Sequence, residues 1–339
     1  MTLVYDLVDP QELIGFVRNL SFDQFSLDRF LPNREIQDLE YRFMRGTLTD
    51  QDAAKYRAWD TESPIGSRQG VQRVRGELPP LSKKIRLGEE ERLRLRALET
   101  GDNSGLVDQI YDDAANMTRA VQARIELARG EALHSGVVTI SENGMEAVVD
   151  YGVPGAHQVT ASSTWDTAAY DVIEEYLSWV ETYEDTTGGL RPGAALVSTR
   201  IIQALLRNEP VRQLLGTVNG APSIVTREAL NSVVQAYGLP PFITYNTQVR
   251  VDGTAQRVIP DDKMILLPPA GEPLGETLYG VTAEAIELQA EGQIVGSQAP
   301  GVVAVVEKTF DPVSTWTKAA GIALPVIANG ELLLQATVL

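Results

Sequence analysis

Two histidines, His134 and His157, are the only imidazole groups in this chain, and they limit the catalysis it could perform. A serine hydrolase needs a histidine beside its nucleophile. Neither histidine lies in a recognisable nucleophile motif, and no Gly-x-Ser-x-Gly sequence is present. We expect His134 to cap the end of a helix, and His157 follows a Gly-Ala loop. The sequence therefore predicts no catalytic residue.

Acidic residues are abundant, but each group of them has a structural interpretation. The run at 89–91 suits the acidic first turn of a helix. Residues 112–113 should lie on the solvated side of a long helix, and residues 261–262 in a turn. Nothing favours a magnesium site or a glycosidase carboxylate pair. The phosphate-binding patterns GxxxxGK[ST] and GxGxxG do not occur, and the absence of cysteine excludes thiolate ligands. We therefore expect no metal and no cofactor.

Length and charge narrow the class of protein further. The chain has 339 residues, and single cores usually stop growing at about 250–300 residues, so we expect at least two lobes. Its net charge is −17, which disfavours tight binding to DNA because that affinity depends on Lys and Arg. We see no apolar run of the roughly 20 residues that a membrane helix needs. Residues 1–6 do not resemble the start of a secretory signal.

Residues 53–87 have too few apolar side chains to fill a core, and they are basic. Residues 71–76 alternate with period two, which predicts a strand. A long two-stranded arm fits this composition, and because an isolated hairpin is marginally stable in water, it should lie on a neighbouring subunit. A flexible linker is the alternative. The side chains expected to make inter-subunit contacts are Arg68, Arg73, Arg75, Lys83, Lys84 and Arg86.

A helix of about 30 residues, and hence about 45 Å long, is predicted after residue 102. Its apolar residues recur at steps of three and four; they are Leu106, Ile110, Ala114, Met117, Val121, Ile125 and Ala128. Asp102 or Asn103 can cap its start, Gly130 should end or bend it, and Gly136 is a suitable stop. Met117, Val121 and Ile125 should face a sheet that includes C-terminal strands.

Shorter elements are predicted on either side of residue 152. Residues 136–151 form a hairpin, because Asn143-Gly144 suits a type I′ turn. An α/β pattern follows, with Thr226 as the cap of its last helix. Its predicted helices cover residues 166–183, 199–206, 209–215 and 227–237, and its predicted strands cover residues 193–198, 242–245, 248–251 and 257–259.

Several segments, in their order and spacing, resemble the lambda-like major capsid protein family of tailed phages, the capsid protein E family. They are VIPDDKMILL (258–267), LYGVT (278–282), DPVSTWT (311–317), ALPV (323–326) and NGELLL (329–334). The segment LDRFLPNR (27–34) resembles the N-terminal arm signature of actinophage-type capsid proteins, and an ordinary proline-bounded loop is the alternative. A Trp just before a helix, Trp165, is similar to the same family. The arm at 53–87 matches in position and character more than in residue identity.

The resemblance implies an α+β fold, the tailed-phage major capsid fold of the Hong Kong ninety-seven type. Its parts would be an N-terminal arm (1–52), an extended β-hairpin loop (53–87), a peripheral domain with a long spine helix (88–165), an axial domain (166–285) and a return to the peripheral domain (286–339).

The same resemblance implies a structural protein that assembles as hexamers and pentamers into an icosahedral head around double-stranded DNA. Its partners would be copies of itself, a separate scaffold, a portal and, in some phages, a decoration protein. It would reside in the virion after assembly in the host cytoplasm. The alternatives are an encapsulin-like compartment shell and an acidic cytosolic α/β enzyme.

Overall fold

The computed structural model describes residues 2–3, 8–45, 54, 56–57, 59–60, 62, 72–98, 104–215, 226–296 and 299–339. The chain divides into two compact units, and each is discontinuous in sequence. The first unit comprises Met1–Arg42, Arg75–Arg129 and Glu276–Val326; the second comprises Phe43–Val74, Gly130–Gly275 and Ile327–Leu339. The prediction of at least two lobes is confirmed, and the chain leaves each unit and returns to it.

Eight α-helices occur in the part of the chain that the structure describes. They are α1 Pro10–Asn19, α2 Glu89–Leu98, α3 Ser104–Ser135, α4 Val172–Thr187, α5 Thr199–Arg207, α6 Glu209–Leu214, α7 Arg227–Ala236 and α8 Ala283–Ala290. Asp9 caps α1 by accepting a hydrogen bond from the Gln11 N–H, and Thr226 caps α7 through the Ala229 N–H. Both starts agree with the sequence, because Asp and Thr oxygens satisfy the free amides of a first turn.

The strands of these same residues are mostly short. They are β1 Thr2–Leu3, β2 Asn33–Glu35, β3 Glu40–Arg45, β4 Gln72–Glu77, β5 Pro80–Leu87, β6 Val137–Glu142, β7 Met145–Asp150, β8 Gln158–Thr160, β9 Ala194–Val197, β10 Phe242–Thr244, β11 Gln248–Val251, β12 Thr254–Arg257, β13 Lys263–Leu267, β14 Gly275–Tyr279, β15 Val303–Phe310, β16 Val313–Ile327 and β17 Leu334–Thr337.

The sheet of the first unit is built around the long strand β16. Its order is β1-β15-β16-β14-β2, and β5 also pairs with β16. β15 and β16 form an antiparallel hairpin with a register from Val303↔Ala320 to Phe310↔Val313. On its other edge β16 pairs with β5, from Thr315↔Leu87 to Ile322↔Pro80.

One apolar face of the long helix α3 packs on this sheet with the predicted phase. Met117, Val121 and Ile125 are at most 7% exposed, and they share a core with Ala304 and Ala319 of β15 and β16. The predicted orientation of the helix towards C-terminal strands is thereby confirmed. The physical cause is the repeat of apolar side chains at three and four residues, which places them on one side of a helix.

The second unit has a five-stranded sheet of order β10-β9-β13-β17-β8. All four residues of β9 are buried, which agrees with the predicted buried strand. Helices α4, α5, α6 and α7 contribute to the same core, together with a set of large aromatic side chains. The aromatic members are Trp165, Tyr176, Trp179, Tyr183 and Phe242.

Three hairpins complete the described structure: β3–β4, β6–β7 and β11–β12. The β6–β7 turn matches the prediction, because Asn143 and Gly144 have φ of 51° and 81°, the left-handed values that a type I′ turn requires. The predicted strand at 71–76 is β4, which pairs with β3. Most residues between β3 and β4 lie outside the described residues, including much of the predicted arm.

The structure corrects four predictions. Helix α4 begins at Val172, not at residue 166, because Asp171 accepts hydrogen bonds from the Ile173 and Glu174 amides. The strand expected at 257–259 is displaced to β12, Thr254–Arg257.

The other two corrections concern α3. Gly130 does not end the helix, which continues to Ser135. A Cβ at residue 130 would lie 2.2 Å from the carbonyl oxygen of Val258, so the glycine allows close packing of the helix on another segment. Asp113 is 5% exposed instead of solvated, and Gln109 donates a 3.0 Å hydrogen bond to its carboxylate.

Candidate functional site

Both histidines belong to the second unit, where His157 is buried and His134 is half-buried. His157 has no exposed surface, its Nδ1 lies 3.0 Å from the carbonyl oxygen of Leu333, and its ring stacks on Tyr183 with centroids 5.6 Å apart. Burial lowers the pKa of the His157 imidazole. Burial also lowers the pKa of His134, with a further contribution from the positive charge of Lys263. Both rings therefore favour the neutral form, and their surroundings are those of packed structural side chains.

The acidic groups have the local roles expected from the sequence, apart from Asp113. Glu91 accepts a 3.2 Å hydrogen bond from the Gly88 amide at the start of α2. Asp261 pairs with Arg257 at 2.8 Å. Within the described ranges, no group of three or more His, Cys, Asp or Glu side chains could hold a metal ion. No helix there is long and apolar enough to cross a membrane.

The described members of the six basic residues predicted to contact a neighbouring subunit lie on two different strands, β4 and β5. Arg75 is exposed on β4, and Arg73 lies on the same strand, although its side chain is outside the described residues. Arg68 also lies outside them. Lys83, Lys84 and Arg86 are exposed on β5 and belong to the sheet of the first unit. Contact of these residues with another subunit stays a prediction.

One side of β5 carries an aromatic and cationic cluster that we call the basic face, formed by Lys84, Arg86 and Trp316. The Lys84 ammonium lies 4.6 Å and the Arg86 guanidinium 5.9 Å from the centroid of the Trp316 ring. Arg86 is also the register partner of Trp316 across the β5–β16 pair. The indole attracts both cations through its negative face and so holds them at a defined position.

Helix α4 of the second unit carries an exposed surface of opposite sign. We call it the acidic stripe, formed by Glu174, Glu181 and Asp185, all exposed. The buried side of the helix is anchored by aromatic side chains; the Tyr176 hydroxyl donates to the carbonyl of Pro240 at 2.9 Å. The acidic stripe therefore stands on a well-packed helix.

A buried ion pair that the sequence did not reveal organises the first unit. Glu126 and Arg129 of α3 form a 3.0 Å pair with side chains 0% and 3% exposed. Glu126 accepts a 2.9 Å hydrogen bond from the Leu27 amide. Arg129 donates to Thr277 at 2.9 Å and to the Asn33 side-chain oxygen. The pair thus joins α3 to β14 and to the corner at 27–34 that carries part of the family resemblance.

The comparison with protein families decides what kind of molecule this is. The model of a family described as phage major capsid protein E matches residues 9–338. The chain belongs to this family. It is a structural protein of a phage capsid, and the resemblance inferred from its motifs is confirmed.

Solved structures with the same fold support this assignment. A putative capsid protein of a prophage of E. coli CFT073 has a TM-score of 0.64 and 14% identity, with 98% of this chain and 99% of that chain covered. A phage-related protein from Bordetella bronchiseptica RB50 has a TM-score of 0.59 and 11% identity, with 99% and 98% covered. The capsid of Myoviridae phage XM1 has a TM-score of 0.51 and 10% identity, with 95% and 94% covered. No curated protein matches the chain significantly.

At such identities these likenesses show the fold. That fold is the mixed helix and strand architecture of tailed-phage capsid proteins, as predicted. The residues that perform the family's role are consequently to be sought on exposed surfaces, such as the basic face and the acidic stripe.

Proposed function

We propose that this capsid protein assembles as hexamers and pentamers into the icosahedral head that encloses the phage's double-stranded DNA, and that it has no enzymatic activity. The observation that carries the proposal is the match of the capsid protein E family to residues 9–338. The protein of Myoviridae phage XM1, which has the same fold, forms the capsid of that phage.

The family's parts are proposed for this chain with the boundaries predicted above: an arm at 1–52, an extended loop at 53–87, a peripheral domain at 88–165 with its return at 286–339, and an axial domain at 166–285. Two observations support the division. The α/β body of the second unit includes α4 to α7, and the sheet of the first unit is completed by β15 and β16. Strands β8 and β17, by contrast, pair within the sheet of the second unit.

The loop at 53–87 is proposed to bind a neighbouring subunit through its basic residues. β4 of this loop pairs with β3, Glu40–Arg45, which precedes residue 53, and two strands by themselves are marginally stable in water. Replacing Arg73 and Arg75 with Glu should prevent assembly and leave the monomer folded. Normal shells from that double variant, with an unchanged circular dichroism spectrum, would show that the two charges make no essential contact.

We propose that DNA is held by confinement and not by affinity. The chain carries −17 charges, and repulsion between it and DNA extends about 8 Å at physiological salt. A wall that binds DNA weakly lets the genome move during packing. A separate scaffold and a portal are proposed as further partners, with a decoration protein in some assemblies, and assembly is proposed to occur in the host cytoplasm before the protein becomes part of the virion.

Expression of the chain, alone and with its candidate scaffold, followed by sedimentation and negative-stain electron microscopy, tests the proposal. We expect capsomers or closed shells of megadalton mass. A small soluble oligomer with enzymatic turnover would refute it. Shells that recruit a protein cargo instead of DNA would indicate a compartment protein.

A further inference from the structure

The basic face carries two positive charges that no acidic side chain of the described residues pairs with. Lys84 and Arg86 are both exposed and lie over a single half-buried indole, that of Trp316. Neither cation forms an ion pair with another residue of the described part. Two like charges over the same ring repel each other, and an anion brought to this face would relieve that repulsion.

The acidic stripe has the complementary character. Helix α4 contains five acidic residues and no Lys or Arg. Two of the five, Glu175 and Glu184, have partners in the second unit: Glu175 accepts from the Trp165 indole N–H at 2.9 Å, and Glu184 pairs with Arg191. The acidic stripe is formed by the remaining three, which make no ion pair among the described residues.

The distance between the two cations is similar to the distance between two of the carboxylates. Lys84 and Arg86 are two residues apart on a strand, about 6.6 Å at 3.3 Å per residue. Glu181 and Asp185 are four residues apart on a helix, about 6 Å at 1.5 Å per residue, and on the same side of it. One carboxylate can therefore meet each cation when the helix lies along the strand.

We propose that the basic face of one subunit binds the acidic stripe of α4 on a second copy of this chain, with Lys84 and Arg86 opposite Glu181 and Asp185. The inference rests on the proposed self-assembly and specifies one of its contacts. The two surfaces belong to different units of the same chain. A contact between two different surfaces is heterologous, and such contacts generate closed rings when the rotation between copies closes on itself, which hexamers and pentamers require.

The indole adds to the contact beyond the charges. Trp and Arg are enriched among the residues that dominate interface energies, particularly where neighbouring groups exclude water. A helix laid on β5 would cover the Trp316 ring and shield the four charges from solvent. The contact should therefore be weakened by salt without being abolished by it, because buried pairs are screened less than exposed pairs.

Zero-length crosslinking in assembled material tests the contact directly. Shells or capsomers are prepared from a mixture of ¹⁵N-labelled and unlabelled protein, treated with a carbodiimide and digested. We expect a peptide that contains Lys84 joined to one that contains Glu181 or Asp185, in the mixed-isotope mass that only a bond between two copies produces. Links in single-isotope mass alone would overturn the proposal.

Charge reversal supplies the second test. We expect each of two double variants to lower the assembled fraction by about tenfold or more, because like charges then face each other. The two variants are Glu181→Lys with Asp185→Lys, and Lys84→Glu with Arg86→Glu. The four-residue variant should regain most of the loss. A control pair, Glu146→Lys with Glu228→Lys, replaces two exposed acids elsewhere with the same change in charge and should assemble normally. Each variant is checked for folding by its unfolding midpoint.

The outcomes separate this contact from the proposed function. If the wild-type chain assembles but the reversed pairs also assemble normally, or the four-residue variant shows no recovery, the contact is wrong and the capsid role stands. Equal loss in the control pair would attribute the effect to net charge and also refute the contact. A wild-type chain that forms neither capsomers nor shells would remove both proposals.

Discussion

Removal of the Arg129 guanidinium is expected to destabilise the first unit severely. Arg129 and Glu126 are almost completely buried, so the variant Arg129→Met leaves a carboxylate in the interior without its cation. It also removes the donors to Thr277 and Asn33. Breaking a buried pair by losing one partner costs about 3–5 kcal/mol, a large part of the roughly 5–15 kcal/mol that stabilises a typical protein.

For a unit of about 150 residues, this loss corresponds to a fall in Tm of about 6–20 °C. Urea and thermal unfolding followed by circular dichroism measure the global change. Hydrogen exchange of the Leu27 amide measures the local one, because that amide donates to Glu126. Its exchange should become faster in Arg129→Met than in the wild type.

Two further variants test whether the loss of stability comes from the buried ion pair. Arg119 lies on the exposed side of the same helix, 5.2 Å over the Phe22 ring, and Arg119→Met should cost no more than about 1 kcal/mol. Adding Glu126→Gln to Arg129→Met removes the stranded charge and keeps an acceptor for Leu27, so it should recover at least about 1 kcal/mol. Equal costs for Arg129→Met and Arg119→Met would show that the pair is not in a low-dielectric interior.

Three other outcomes are expected. Val121→Asp should unfold the subunit, because Val121 is 3% exposed in the core below the sheet and an unpaired charge there is costly; soluble, assembling protein would contradict this. The free energy of unfolding should fall as pH drops below about 6.5, because the unfolded chain binds protons that buried His157 does not. The fall should be up to about 1.4 kcal/mol per pH unit for each histidine. The plot of urea midpoint against pH should have a shallower slope in His157→Asn, and an unchanged slope would refute that origin. Unassembled protein should bind duplex DNA no more tightly than about 10⁻⁶ M at 0.15 M salt; sub-micromolar affinity in a filter-binding titration would contradict the proposed confinement.

Local features of the fold were predictable because neighbouring residues encode them. The phase of α3 follows from its apolar repeat, and the β6–β7 turn follows from Asn143-Gly144, which tolerates positive φ. Asp113 was assigned to solvent because of its residue type. Its position, three residues after Ile110 and beside Ala114, nevertheless places it on the buried side of the helix.

Long-range features were not predictable from local patterns. Glu126 meets an amide 99 residues away, and Arg129 meets Thr277 across 148 residues, so no short segment contains both sides of these contacts. The residues of β5 were assigned to an arm because residues 53–87 as a whole have few apolar side chains and are basic. They form a strand at the side of β16 instead, where exposed lysines also discourage unwanted pairing of an open edge.

β15, β16 and β17 are the last strands of the chain to be synthesised, and this determines when the two units can fold. β15 and β16 supply the centre of one sheet, and β17 lies between β13 and β8 in the other. Neither unit can therefore close its core while the ribosome is still producing residues before 303, and many native contacts must form late and over long sequence separations. A nascent chain released before that point lacks central strands of both units. Such fragments would be recognised as unfolded by cellular proteases and would not enter a growing particle.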